Sequence, residues 1–86
     1  MQRPQIQDAL LRALTDIAPE TDAASIDPAR PLRAQVDLDS ADWLNFMIAV
    51  HEALGVEVAD ADAPRLTTLD KWVDYCAARL PARDAS

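Results

Sequence analysis

The fold is decided by residues 39–55, which read DSADWLNFMIAVHEALG. An Asp-Ser pair opens this stretch, and the only glycine of the chain, Gly55, closes it. Asp39 can accept a hydrogen bond from the free N–H groups of a first helical turn, with Asp42 at the third helical position. Glycine is the favoured residue directly after a last helical turn. The stretch therefore predicts a helix over residues 40–54.

Two apolar stripes run along this predicted helix at helical spacing. The first stripe comprises Trp43, Phe46, Met47, Val50 and Leu54. The second stripe, next to it, comprises Leu44 and Ile48. A helix on the outside of a bundle needs only one buried stripe. Two interpretations stay open: either the helix is central and both stripes are buried, or Leu44 and Ile48 face outward as an apolar contact patch.

The remaining residues contain further helix signals. An apolar stripe from Ile6 to Ile17 follows Pro4 and predicts a first helix over residues 4–18, which Pro19 ends. The TTLD sequence at 67–70 is typical of a helix start and predicts a last helix over 68–80. Residues 60–65 are expected to form an irregular or short helical segment, and residues 19–38 a long loop without strong periodicity. The expectation is one all-α domain over residues 1–86, a small four-helix bundle of three main helices and one short helix.

Composition and charge exclude several classes of protein. A single cysteine rules out a disulfide or a Cys-based zinc site within one chain. The net charge is −7, and residues 34–64 hold seven acids and no Lys or Arg, so the other residues balance at eight acids and eight bases. Such a chain repels nucleic acid and anionic membranes, and we expect basic protein partners. The N-terminus has no apolar signal region, so a cytoplasmic location is expected.

Catalysis by the chain itself is not predicted. Nucleophilic catalysis needs a nucleophile within hydrogen-bond reach of a base. The only histidine, His51, lies eleven residues from Ser40 on the same predicted helix, which is about 16 Å by helix rise. Cys76 falls on the apolar face of the last helix, where a cysteine is usually inert. The acids after Asp37 do not match a calcium loop, because its sixth and twelfth positions hold Asp42 and Ile48. No metal site is expected.

Residues 36–80 resemble acyl carrier proteins. The resemblance rests on the Asp39-Ser40 pair that opens a helix, on the acidic VEVAD stretch at 56–60, and on the LTTL stretch at 66–69. In that family the serine after the aspartate receives 4′-phosphopantetheine from coenzyme A. The resemblance therefore implies a covalent 4′-phosphopantetheine on Ser40, placed by a phosphopantetheinyl transferase, at a helix N-terminus that tolerates an anion.

The same resemblance implies roles for two further sets of residues. Positions implied to meet the basic docking surfaces of acyl-transferring or acyl-modifying enzymes are Asp39, Ala41, Asp42, Leu44, Ile48 and Glu52. Positions implied to line an interior acyl pocket are Phe46, Met47, Val50, Leu54 and Trp72. The carrier is expected to be a monomer that binds no nucleic acid and no membrane.

Several departures from the family pattern affect the expected pathway. Asp37 stands where the family usually has glycine, and Ala41 where it usually has leucine or methionine. Trp43 and Trp72 are bulkier than the usual residues and narrow any acyl pocket. These departures favour a specialised fatty-acid, lipid or polyketide pathway over bulk fatty-acid synthesis. A peptidyl or aminoacyl carrier, and an acidic helical adaptor without a prosthetic group, remain as alternatives.

Overall fold

The computed structural model describes residues 2–80. Within this range the chain forms four α-helices: α1 (Arg3–Ile17), α2 (Leu32–Gln35), α3 (Ser40–Leu54) and α4 (Leu69–Arg79). Two 3-10 turns, Ala23–Ser25 and Ala63–Arg65, lie in the connections. No strand occurs among the described residues, where the sole β-type pairing is a bridge between Pro31 and Thr68. The predicted all-α helical bundle is confirmed.

Helix α1 packs against both other long helices. Pro4 lies in its first turn, where a missing N–H is tolerated, and the Gln5 side chain accepts a hydrogen bond from the backbone N–H of Gln2 at 2.8 Å. Its buried face consists of Ile6, Leu10, Ala13 and Leu14. Helix α1 contacts α3 and α4 along this face, so the apolar stripe seen in the sequence forms one wall of the core.

The connection from α1 to α3 is more ordered than the sequence predicts. The one-turn helix α2 lies inside the range that was expected to be loop. The side-chain amide of Gln35 holds it, donating to the carbonyl oxygens of Asp27 and Arg30 and accepting from the Asp27 N–H at 2.7 Å. Leu32 is fully buried, and its N–H donates to the Thr67 carbonyl at 2.8 Å. The connection is therefore fixed onto the start of α4.

Helix α3 begins and ends at the predicted residues. The Asp39 carboxylate accepts from the Asp42 N–H at 2.8 Å, and the Asp42 carboxylate accepts from the Asp39 N–H at 3.4 Å. These reciprocal bonds form a capping box. Gly55 follows the last turn with φ of 70° and donates its N–H to the His51 carbonyl. Ser40 is thereby fixed as the first residue of the helix.

An aromatic group joins α3 to α4 in the core. Phe46 makes edge-to-face contacts with Trp43 at 5.8 Å and with Trp72 at 4.9 Å between ring centroids. Offset and edge-to-face pairs of this kind are the favourable arrangements for aromatic rings. Phe46 and Trp72 are both buried, so the two long helices are tied together directly below the N-terminal half of α3.

The connection between α3 and α4 contains one short 3-10 turn. Residues 60–65 were expected to be an irregular or short helical segment, and the 3-10 turn Ala63–Arg65 forms within them. Tyr75 of α4 fixes the preceding residues, because its hydroxyl donates to the Asp62 carboxylate at 2.9 Å and accepts from the Ala59 N–H at 3.3 Å. The Arg79 guanidinium stacks over the Tyr75 ring at 3.5 Å. Turn hydrogen bonds also hold the segment, such as that from the Asp62 N–H to the Ala59 carbonyl at 2.9 Å.

Candidate functional site

Ser40 is exposed and stands at the N-terminus of α3. The capping box occupies the N–H groups of Asp39 and Asp42. The N–H groups of Ser40 and Ala41 have no acceptor among residues 2–80, as is usual for a first turn. Free N–H groups and the positive end of the helix dipole favour an anion at this place. A phosphodiester on the Ser40 hydroxyl fits this environment, and the hydroxyl is open to a second protein.

Acidic residues flank Ser40 and continue along α3. Asp37 and Asp39 are exposed, and Asp42 is partly exposed. Glu52, on the last turn of the same helix, is exposed as well. Since residues 34–64 contain no Lys or Arg, no base within that segment neutralises these carboxylates. The surface around the serine is therefore rich in acidic side chains.

Leu44 and Ile48 form an exposed apolar pair on α3. Their exposed fractions are 58% and 49%, and they are the large hydrophobic residues that stand out on the surface of the described chain. The interpretation that both stripes of the helix are buried is therefore wrong. At four-residue spacing from Ser40, the pair continues along the helix from the serine towards Glu52. Ala41 is exposed on the same turn as Ser40.

A groove of about 470 Å³ lies against α3, and Ser40 is not among the residues that line it. Trp43 and Met47 of α3 form one wall, Trp72 of α4 another, and Arg33 of α2 and Leu66 complete it. Positions three and seven residues after Ser40 share its side of the helix. Ser40 therefore lies between this groove and the exposed pair Leu44 and Ile48.

The five residues expected to line an acyl pocket divide into two groups. Met47 and Trp72 line the groove. Phe46 and Val50 are fully buried in the core, and Leu54 packs against that core, so none of these three lines the groove. Phe46 does not line the groove because its ring packs between the rings of Trp43 and Trp72 inside the core.

Sequence reasoning did not identify Arg33 and Leu66 as groove residues. Both come from connections, which show no periodicity from which a face can be assigned. The backbone pairing of Leu32 with Thr67 brings the two connections together. Trp43 had a signal, since its spacing from Ser40 and Met47 places it on the same side of α3.

No catalytic constellation accompanies Ser40. His51 is exposed near the far end of α3. Cys76 is buried, and burial raises the pKa of its thiol to about 11, with Arg79 opposing the shift. The thiol therefore stays protonated and unreactive near neutral pH. In residues 2–80, no three His, Cys, Asp or Glu side chains come together as a metal site. No described helix has the length and apolar content to cross a membrane.

The chain is similar to one known family and to named proteins of that family. The family model described as "Phosphopantetheine attachment site" matches residues 8–76. The acyl carrier protein of Rubrobacter xylanophilus is 26% identical over 72 residues, which cover 80% of this chain and 89% of that protein. Acyl carrier protein 2, mitochondrial, of Arabidopsis thaliana is 23% identical over 83 residues, which cover 96% of this chain and 65% of the plant protein.

The helical fold and the family match over residues 8–76 define a carrier domain. The chain belongs to the phosphopantetheine-attachment family, among the acyl carrier proteins. Members of this family are carriers and not catalysts, and their cofactor is a covalently attached 4′-phosphopantetheine. They interact with a phosphopantetheinyl transferase and with enzymes that handle acyl groups.

Proposed function

We propose that this chain carries acyl groups on a 4′-phosphopantetheine arm attached to Ser40, in a specialised fatty-acid, lipid or polyketide pathway. The observation that carries the proposal is the position of Ser40. It is an exposed hydroxyl at the first residue of α3, beside two N–H groups without an acceptor among the described residues. Helix N-termini of this kind stabilise phosphate groups.

Attachment needs only a free hydroxyl from this chain. The Ser40 oxygen forms a bond to the phosphorus that bears the pantetheine group in coenzyme A, and the pyrophosphate bond breaks. Adenosine 3′,5′-bisphosphate leaves, and the serine proton passes to a base of the transferase. When bound, the arm supplies a thiol that holds an acyl group as a thioester, so the reactive chemistry belongs to the cofactor and to partner enzymes. The chain contributes the serine, the anion-stabilising helix end and the docking surface.

We propose that partner enzymes dock on the surface formed by Asp39, Ala41, Asp42, Leu44, Ile48 and Glu52. The carboxylates attract a basic partner from a distance and speed encounter. Leu44 and Ile48 supply apolar area that becomes buried on contact, and such a centre with a charged rim is typical of protein interfaces. Because the docking surface adjoins Ser40, a docked enzyme has the arm within reach.

A specialised pathway is favoured by what fills the interior. Trp43, Phe46 and Trp72 pack edge to face where a long chain would otherwise insert between α3 and α4. The space that remains beside Ser40 is the groove of about 470 Å³, which has a cationic Arg33 on its lining. A long saturated chain fits such a groove less well than a short or polar acyl group. A peptidyl or aminoacyl cargo is the neighbouring alternative within the carrier class.

The proposal is tested by intact mass after incubation with coenzyme A and a broad-specificity phosphopantetheinyl transferase. We expect a gain of one phosphopantetheine unit in the parent and none in Ser40→Ala. Ser25→Ala is the matched control, because Ser25 is also exposed and stands in a helical turn; it should load like the parent. Loading of Ser40→Ala would place the arm elsewhere. Failure of the parent with several transferases would favour an adaptor without a prosthetic group.

A further inference from the structure

Both tryptophans of the chain line the groove beside Ser40, and both have an indole N–H without a partner. The Nε1 atoms of Trp43 and Trp72 are buried and have no hydrogen-bond acceptor in the described part of the chain. Buried indole N–H groups usually find a partner, because an unpaired buried donor destabilises the folded state. Two unpaired donors on two residues that line one groove point to a ligand as the source of an acceptor.

The rest of the groove lining points to the same kind of ligand. Arg33 lies with its guanidinium carbon 5.3 Å from the centre of the Trp43 ring. It forms no ion pair with a carboxylate of residues 2–80. No Asp or Glu lines the groove, although the chain contains fifteen acids. The groove therefore offers donors and a cation without an opposing carboxylate.

A saturated alkyl chain matches only the apolar part of this lining. It would cover Met47 and Leu66 well, but both indole N–H groups would stay unpaired in an even drier environment. On the premise that the chain is the carrier proposed above, we propose that the groove receives an acyl group with a hydrogen-bond-accepting oxygen beyond its thioester carbonyl. The N–H groups of Trp43 and Trp72 bind that oxygen, and Arg33 adds charge when the oxygen belongs to a carboxylate.

An acyl oxygen can reach the two indole N–H groups only if the wall of the groove moves. The two Nε1 atoms have almost no exposed surface, so an acyl oxygen reaches them only after a small displacement of the lining. The connection that holds Ala63, Pro64 and Leu66 forms one wall. These three residues have turn hydrogen bonds and no long helix, and the Tyr75 hydroxyl holds Ala59 and Asp62 before them. This wall therefore opens more easily than α3 or α4. The position of Ser40 on the same side of α3 brings the arm to this wall.

The test compares cargoes of matched length on the loaded carrier. A broad-specificity transferase attaches octanoyl, 3-oxooctanoyl and 7-carboxyheptanoyl phosphopantetheine from the corresponding coenzyme A thioesters, and intact mass establishes loading. The chain has two tryptophans, so a ¹⁵N–¹H spectrum shows two indole signals, which Trp43→Phe assigns without altering Trp72. We expect a downfield shift of at least one indole proton with an oxygen-bearing cargo relative to octanoyl.

A second readout is the rate of thioester cleavage by exchange with 2-mercaptoethanol, expressed for each cargo relative to the same acyl group on free coenzyme A. One added hydrogen bond should make this relative rate about two- to tenfold lower for an oxygen-bearing cargo than for octanoyl. A shift with 3-oxooctanoyl alone identifies a keto cargo, and a shift with 7-carboxyheptanoyl alone identifies a carboxylate. In the second case Arg33→Gln should reduce the protection. Arg65→Gln should not, because Arg65 is exposed in the same connection but does not line the groove.

Two results would overturn the inference, and they are distinguishable. If all three cargoes load, and both indole signals and the relative cleavage rates are the same for octanoyl as for the oxygen-bearing cargoes, the groove does not recognise an acceptor oxygen. The carrier function at Ser40 would stand in that case. If intact mass shows no loading at all, the carrier proposal fails first and this inference fails with it.

Discussion

At the scale of single residues, Gly55 has a defined structural task. It is the residue with positive φ in the described range, at 70°, and it ends α3 by donating its N–H to the His51 carbonyl at 2.8 Å. A side chain at this position would meet no atom within 4 Å. Glycine is therefore not required here for lack of space. It is favoured because the left-handed backbone conformation is strained for other residues.

We predict that Gly55→Ala lowers the free energy of unfolding by about 1 to 2 kcal/mol. The loss comes from backbone strain alone, because the added methyl group enters open space. Denaturant unfolding followed by circular dichroism measures it. Gly55→Asn is the control, since asparagine tolerates the left-handed region better, and it should lose less. Equal losses in the two variants would show that backbone conformation is not the cause.

The position of Ser40 was partly predictable from the sequence. The sequence placed it at a helix start beside two capping aspartates, and the structure has Ser40 as the first residue of α3 with that capping box formed. What the sequence did not reveal is its position between two different surfaces. Its position beside the groove depends on the tertiary fold, which brings Arg33 and Leu66 together from two separate connections.

At the scale of elements, long periodic helices were predictable and short ones were not. Helices α1, α3 and α4 each have an apolar stripe and a recognisable start, from Pro4, Asp39 and Thr68. Helix α2 has four residues, too few to display a 3.6-residue period. It forms because the Gln35 amide and the burial of Leu32 hold it. The Gln35 bonds lie within the connection and Leu32 packs into the core, and neither contact can be predicted from a local sequence pattern.

The connection between α3 and α4 depends on the Tyr75 hydroxyl, and this gives a prediction for the element. Tyr75→Phe removes the bonds to Asp62 and to the Ala59 N–H while keeping the ring under Arg79. We expect the free energy of unfolding to fall by about 1 kcal/mol. Amide hydrogen exchange should accelerate more at Ala59 and its neighbours than in α1. A uniform increase along the chain would mean that the hydroxyl does not hold this connection.

At the scale of the whole molecule, charge is divided unevenly along the chain. Residues 34–64, which include α3, hold seven acids and no Lys or Arg, while the remaining residues are balanced. Two of the ion pairs of the described chain, Arg3 with Asp74 and Arg79 with Asp62, involve bases from outside this segment. Within residues 2–80, Asp39, Asp42 and Glu52 therefore form no ion pair. A surface of this kind attracts a basic enzyme over a distance that salt shortens.

The position of the acid should matter more than the total charge. Glu52→Lys and Glu20→Lys both change the net charge from −7 to −5, as two units are lost in each case. Both glutamates are exposed, and neither variant should alter the helical circular dichroism. Only Glu52 lies on α3 with the proposed docking surface.

We expect Glu52→Lys to slow loading by a basic transferase by about fivefold or more at low salt, since one close charge contact is worth about 1 kcal/mol in water. The difference from Glu20→Lys should shrink as salt is added. If the two variants load at the same rate at low salt, the attraction comes from net charge, and α3 has no special part in docking.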